Sequence, residues 1–177
     1  GKPDELIPQA EIDWSYCDLR GASLHDMDLT NANFSGADLS GANLYNAKLE
    51  GAIFTKAKLF GSNLEEANLS NANFTDAILT GARLYASTLQ NTDFKNAELQ
   101  YTTMYMADIN DTNFVGADLT RANFCSQNLS LMNFTNANLY GADLSRANLQ
   151  GTYFKNANLL GVDLSGANLS GVDLSNT

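Results

Sequence analysis

A period of five residues constrains this sequence more than any other feature. The stretch from Phe34 to Phe54 reads FSGADLSGANLYNAKLEGAIF, with alanine at every fifth residue and leucine or phenylalanine two places after each alanine. From Trp14 to Leu174 every fifth residue is large and apolar, and no insertion or deletion shifts the frame. Such a period matches neither an α-helix, at about 3.6 residues per turn, nor a strand, at about two. The chain must therefore fold as an array of short repeats.

Each five-residue unit carries one small and one large apolar position. We call the run that includes Ala37 and Ala42 the small column, and the run that includes Leu39 and Leu44 the large column. Asparagine or aspartate lies between the two columns at most repeats, and the other two places are polar or glycine. Units of this size cannot each bury an apolar face alone, so they must stack.

A second period, of 20 residues, indicates how the units stack. Phenylalanine recurs in the large column at positions 34, 54, 74, 94, 114, 134 and 154. We therefore predict that four units complete one coil and that residues 20 apart lie above one another, which gives about eight coils over residues 12–177. Successive coils should lie about 4.8 Å apart, the spacing of hydrogen-bonded strands.

The repeated unit resembles the consensus of the pentapeptide-repeat family. Segments such as GADLS at 36–40, GANLY at 41–45 and NANLY at 136–140 carry the resemblance, which covers about residues 12–176. It implies an all-β fold, a right-handed quadrilateral parallel β-helix, in which both apolar columns point inward and the other three places face solvent. We accordingly divide the chain into an N-terminal cap segment, residues 1–11, and the β-helix, residues 12–177.

Composition and residue types argue against an enzyme. The net charge is −10, which disfavours binding to nucleic acid or an anionic membrane. The only histidine is His25, and the two cysteines, Cys17 and Cys125, lie too far apart along the rod for a disulfide. A smooth rod offers no cleft for paired carboxylates. We therefore predict no catalytic, cofactor-binding or metal-binding residues.

Outward tyrosine and methionine residues mark a candidate interaction patch. It comprises Tyr45, Tyr85, Tyr101, Tyr105 and Met106. The period of 20 places Tyr85 beneath Tyr105 and Tyr101 beneath Arg121, where a cation–π contact can form. A patch of this composition suits protein binding, although tyrosines also stack along a sheet for packing alone.

These features favour a non-catalytic, rigid solenoid scaffold that presents surfaces to a protein partner. The resemblance supplies an alternative, a DNA-mimicking protein that binds a topoisomerase such as DNA gyrase. Long uninterrupted arrays of this kind resemble those of cyanobacteria. We expect a cytoplasmic location because the first residues lack the pattern of a signal peptide, or the periplasm or thylakoid lumen if a signal has been removed.

The last coil suggests self-association. The sequence ends on GVDLSNT, still in frame, and its apolar residues are Leu164, Leu169, Val172 and Leu174. An uncovered coil leaves backbone groups unpaired around an apolar centre, and such an edge pairs readily with another chain. We expect either a longer natural chain or a weak homodimer that forms end to end through this coil.

One residue of the small column breaks the pattern. Gln127 is long and polar where most repeats carry alanine. Because an unpaired buried amide is costly, we predict that the Gln127 amide is hydrogen-bonded or that the residue bulges the local wall.

Overall fold

The structure, a computed structural model, describes residues 12–177, which form one continuous coil. No residue in this range lies in a helix, and each strand is a single bridging residue, repeated at every fifth position from Asp13 to Asp173. Bridges run in parallel between residues 20 apart, from Asp13 with Asn33 to Tyr153 with Asp173. The fold is therefore the predicted quadrilateral parallel β-helix with four units per coil. The proposed cap, residues 1–11, lies outside the described residues.

Four sides make up each coil, and we name them by their large-column residues. Side A contains Phe34 and the residues at intervals of 20 from it, and side B, side C and side D follow in chain order. In the coil that contains Phe34, the large-column residue of side B is Leu39, that of side C is Leu44 and that of side D is Leu49. The corner between two sides is a two-residue turn.

Backbone conformation explains which residues occupy the last place of each unit, the second residue after the large column. Every residue at this place from Tyr16 to Asn176 has a positive φ, the left-handed region that glycine and asparagine tolerate best. The turn is closed by a hydrogen bond such as that from the Ala37 amide to the Phe34 carbonyl, at 2.9 Å. At Gly36 a Cβ atom would also lie 2.6 Å from the ring of Tyr16, so a larger residue there would require this exposed ring to move.

Asparagine and aspartate recur between the columns because their side chains brace the corner. The Oδ1 atom accepts a hydrogen bond from the amide two residues later, as in Asn33 to Ser35 and Asp38 to Ser40, both at 3.0 Å. This is the Asx-turn arrangement. The hydroxyl and the amide of Ser40 both donate to Asp38 and lower the pKa of its carboxyl group.

Both apolar columns point inward and fill the shaft, as predicted. Every large-column residue from Leu29 to Leu149 is buried. On side A the phenylalanine rings stack face to face, with centroids 4.8 Å apart between Phe34 and Phe54 and 4.5 Å apart between Phe54 and Phe74. Offset stacking of aromatic rings adds stability beyond the burial of their area.

Several polar residues in the small column form hydrogen bonds inside the shaft, whereas the buried hydroxyl of Ser62 has no partner within residues 12–177. Thr92 and Thr152 donate to the carbonyls of Leu69 and Leu129, each 23 residues earlier, at 2.9 Å and 2.8 Å. Gln127 uses the same geometry, since its Nε2 atom donates to the carbonyl of Met104. The predicted hydrogen bond of the Gln127 amide is therefore confirmed.

Candidate interaction surface

Three residues at the corner between sides C and D form the centre of the candidate surface. The rings of Tyr85 and Tyr105 stack with centroids 6.1 Å apart, as predicted from their spacing. The Tyr85 hydroxyl lies 3.8 Å from the sulfur of Met106. All three side chains are exposed, Met106 most of all at 61 %. They form one contiguous apolar and aromatic ridge.

Tyr101 borders the same side of the rod from the opposite corner. The guanidinium carbon of Arg121, one coil above, lies 5.9 Å from the centroid of the Tyr101 ring, which confirms the cation–π contact. Arg83, at the middle of side C one coil below, lies 3.6 Å from Glu65. Side C therefore combines exposed tyrosine with two guanidinium groups.

Tyr45 lies two coils below Tyr85 on the same corner and is separated from the ridge. Its hydroxyl donates to Oε2 of Glu66 at 2.9 Å, and this carboxylate raises the pKa of the phenol. Glu65 and Glu66 stand between Tyr45 and Tyr85 along the corner. We therefore define the docking surface as Tyr85, Tyr101, Tyr105 and Met106, flanked by Arg83 and Arg121.

The wall behind the docking surface is held rigidly. The inward residues Leu84, Met104 and Phe124 of side C are fully buried. Thr102, which replaces the usual alanine, donates its hydroxyl to the Leu99 carbonyl at 2.8 Å. Below the surface the amide of Leu84 bonds the carbonyl of Thr103 at 2.9 Å. The tyrosines thus stand on a backbone that has little freedom to move.

The residues predicted to mediate end-to-end contact lie on the last coil. Leu169 and Leu174 are exposed, whereas Leu164 and Val172 are half-buried against the core. Association through this coil remains a prediction.

The described part of the chain carries no group of three or more His, Cys, Asp or Glu side chains arranged to hold a metal ion. Cys17 and Cys125 are both free thiols. His25 lies 2.9 Å from the Ser23 hydroxyl. A search of residues 12–177 for a helix long and apolar enough to cross a membrane found none.

Family models identify the repeats. A model described as pentapeptide repeats matches residues 17–55, 117–156 and 142–177, with eight copies, and a second, a pentapeptide repeat region, matches residues 47–124. These matches cover most of the chain, and the coil has the side-chain pattern that such repeats require. The chain belongs to the pentapeptide-repeat family, whose members fold as right-handed quadrilateral β-helices.

Solved structures of similar proteins include cyanobacterial ones. HetL, involved in heterocyst differentiation regulation in Nostoc, is 32% identical, and the alignment covers 93% of this chain and 81% of that one with a TM-score of 0.28. A pentapeptide repeat protein from Cyanothece is 22% identical, with 93% and 89% covered and a TM-score of 0.49. QnrB1, a plasmid-mediated fluoroquinolone resistance protein, is 22% identical, with 90% and 79% covered and a TM-score of 0.39. With TM-scores this low, these likenesses carry no argument about function. A comparison with curated proteins found no match.

Proposed function

We propose that this protein is a non-catalytic scaffold that binds a protein partner through the docking surface on side C. The exposed cluster of Tyr85, Tyr101, Tyr105 and Met106 carries this proposal. Tyrosine and arginine are enriched among the residues that dominate binding energy at interfaces. Because the β-helix already fixes the backbone beneath them, binding sacrifices little conformational entropy.

The chemistry of the surface defines the partner. Arg83 and Arg121 flank the tyrosines on a rod whose net charge is −10. Arg121 already covers one face of the Tyr101 ring, which leaves the other face and the phenol edge for a ligand. We expect a partner segment that carries a carboxylate next to an apolar side chain, so that the carboxylate meets a guanidinium group while the apolar group packs on the tyrosines.

Site-specific photo-crosslinking tests this function. A photo-reactive phenylalanine analogue placed at Tyr105 should capture one protein in extracts of the native cell. The same analogue at Tyr153, an exposed tyrosine on side A, serves as the control and should not capture it.

The captured protein, once purified, allows a quantitative test. Tyr101→Ser together with Tyr105→Ser should weaken its binding about 1,000-fold, since hot-spot residues contribute about 2 kcal/mol or more each. Tyr153→Ser should leave the dissociation constant unchanged. Equal affinities of all three proteins by calorimetry would exclude side C as the binding surface.

The alternative function is DNA mimicry, in which this protein occupies the DNA-binding site of a topoisomerase such as DNA gyrase. That function would use the acidic surface of the rod. On side D, Lys48 lies directly above Asp28 in the backbone ladder, and on side B, Lys58 lies directly above Asp38. Because lysine residues interrupt the rows of aspartate on these two sides, the sides lack the continuous row of negative charge that DNA presents. A DNA gyrase supercoiling assay tests this alternative, and we expect no change in supercoiling at micromolar protein.

A further inference from the structure

The backbone ladder of the rod is interrupted along two adjacent sides. Asp108 does not pair with Asn128 on side D, and Asn113 does not pair with Asn133 on side A. Between the same two coils the ladder holds on side B, where Asp118 pairs with Asn138, and on side C, where Thr103 pairs with Asn123. We call the unpaired stretch, residues 106–114 facing residues 125–133, the seam.

Amide groups confirm that the seam is a local break. One coil below, the amides of Leu89 and Phe94 bond the carbonyls of Asp108 and Asn113 at 2.7 Å and 2.8 Å. Their counterparts in the seam, the amides of Ile109 and Phe114, make no such bond to the coil above, and neither do those of Met106 and Asp111. The ladder resumes at Gly116, whose amide bonds Thr135 at 3.0 Å.

The cause lies in the small column of the upper coil. On side D, Gln127 stands above Ala107, and on side A, Met132 stands above Thr112. Both long side chains are buried. A close-packed shaft cannot accept their volume without moving the backbone. The two sides that carry the long residues are the two sides on which the ladder opens.

The seam opens into a cleft of about 630 Å³ between Asn110–Asn113 below and Asn128–Asn133 above. Unpaired peptide groups line it, and such groups need a hydrogen-bond partner. The volume is ample for several water molecules, which can bridge the two lips. Backbone that is bridged by water opens more easily than a closed ladder, so the seam is a weak cross-section of the described coil.

We propose that the seam divides the solenoid into two rigid segments that open and close against each other, with sides B and C as the hinge. The paired sides keep the segments attached, while the unpaired sides D and A vary in width. Met106 of the docking surface forms one end of the seam. Opening therefore changes the position of the docking surface relative to the upper segment.

Hydrogen exchange of the whole chain tests the break. The amides of Ile109, Phe114 and Asn128 should exchange at least about 100-fold faster than those of Leu89, Phe94 and Asp108, their counterparts one coil below. In a variant that carries Gln127→Ala and Met132→Ala, the seam amides should become as protected as these counterparts. Thr152→Ala, which shortens a small-column residue of side A one coil above, is the control and should leave seam exchange unchanged.

Spin-label distances test the hinge. In a background with Cys17→Ala and Cys125→Ser, one label pair replaces Thr30 and Gln150 on the corner between sides D and A, and another replaces Ser40 and Leu160 on the opposite corner. Each pair spans six coils, or about 29 Å. The Thr30–Gln150 distribution should be broad and should narrow when Gln127→Ala and Met132→Ala are added, while the Ser40–Leu160 distribution stays narrow throughout.

Two results overturn the proposal, and neither depends on the double variant folding. Seam amides as protected as their counterparts in the unmodified chain show that the ladder is closed in solution. Equally narrow distributions at both corners show that the seam does not move. If the double variant folds and its seam amides still exchange quickly, the bulk of Gln127 and Met132 is not the cause.

Discussion

The lower and upper halves of the shaft are built from the same five-residue unit but pack differently. From Phe34 to Phe94 the ring centroids of side A lie 4.5–4.9 Å apart. From Phe94 to Phe154 the spacing is 5.5–5.6 Å. The lower half is a tight stack, and the upper half is a loose one.

One coil within the loose stack differs from the others in its buried residues. It carries Phe124 in the large column of side C, where the ring packs edge-on against Phe114 at 5.6 Å and Phe134 at 6.0 Å. The same coil carries Gln127 and Met132 in the small column. This coil therefore carries three residues larger than is usual at their places, and the seam runs along its lower edge on sides D and A. We infer that the summed volume of a coil, and not only the type of residue at each position, affects how closely the coils pack.

Removing one phenylalanine ring from each half should give the largest difference in stability between the two halves. Phe54→Ala in the tight stack should lower the free energy of unfolding by about 3–5 kcal/mol, and Phe134→Ala in the loose stack by less, because its stacked rings lie 5.5–5.6 Å away and those of Phe54 lie 4.5–4.8 Å away. Urea unfolding of both variants measures the difference. A loss below about 1 kcal/mol for Phe54→Ala would contradict its inward position.

Transplanting the bulky residues should create a second seam in the lower half. Ala67→Gln and Ala72→Met occupy sides D and A three coils below Gln127 and Met132. Overpacking of a close-packed core destabilises by about 1–3 kcal/mol per site, so the double variant should be less stable by about 2–6 kcal/mol. The amides of Leu49 and Phe54 should then exchange rapidly. Full protection of these amides would show that bulk alone does not open the ladder.

Replacing the bulky residues by alanine should make the upper half pack more like the lower half. Gln127→Ala combined with Met132→Ala should raise the free energy of unfolding by about 1–3 kcal/mol, because closing the ladder outweighs the lost Gln127 amide bond. Thr92→Ala, which removes a satisfied hydroxyl from the lower half, should instead lower it by about 1 kcal/mol. A loss of several kcal/mol in the double variant would mean that the Gln127 amide is essential, contrary to this expectation.

Lowering the pH should reduce the stability of both halves to a similar extent, and this is the smallest of the expected effects. Hydrogen bonds from Ser40 and Ser165 lower the folded-state pKa of Asp38 and Asp163, and Arg20 lowers that of Asp18 to about 2. A lowered folded pKa stabilises the native state above the unfolded pKa of about 3.9, and this contribution disappears as the pH falls through the folded value.

Asparagine accepts the same corner hydrogen bond but does not titrate. The melting temperatures of Asp38→Asn and Asp163→Asn should therefore fall less than that of the unmodified chain between pH 5 and pH 2.5. Thermal melts over this range measure the effect. A steeper fall in either variant would contradict the lowered pKa values.

Period and residue size predicted most of the fold. The repeat of 20 located the phenylalanine stack, the pairing of Tyr85 with Tyr105, and the contact between Tyr101 and Arg121. These follow from the sequence because the frame never shifts, so position along the chain fixes position in space. The resemblance to a known family supplied the handedness.

The seam and the boundaries of the docking surface depend on more than the period. Gln127 differs from its column in polarity, which is visible in the sequence, whereas Met132 is apolar like most members of the small column. The two residues lie in one coil, on the two adjacent sides where the ladder is unpaired. Tyr45 shares its corner with Tyr85, yet its bond to Glu66 separates it from the surface, and that choice of partner depends on side-chain geometry.

The constant separation of bridged residues determines how the chain can fold. Every bridge joins residues 20 apart, so each new coil closes a loop of the same modest length onto the one already formed. Growth can then proceed by repeated addition from a costly first pair of coils, and during synthesis each coil can dock as it leaves the ribosome. At residues 125–133 the incoming coil finds only two of four sides ready to pair. Elongation should pause there, and a nascent chain halted at this point would display the open end of a finished lower segment.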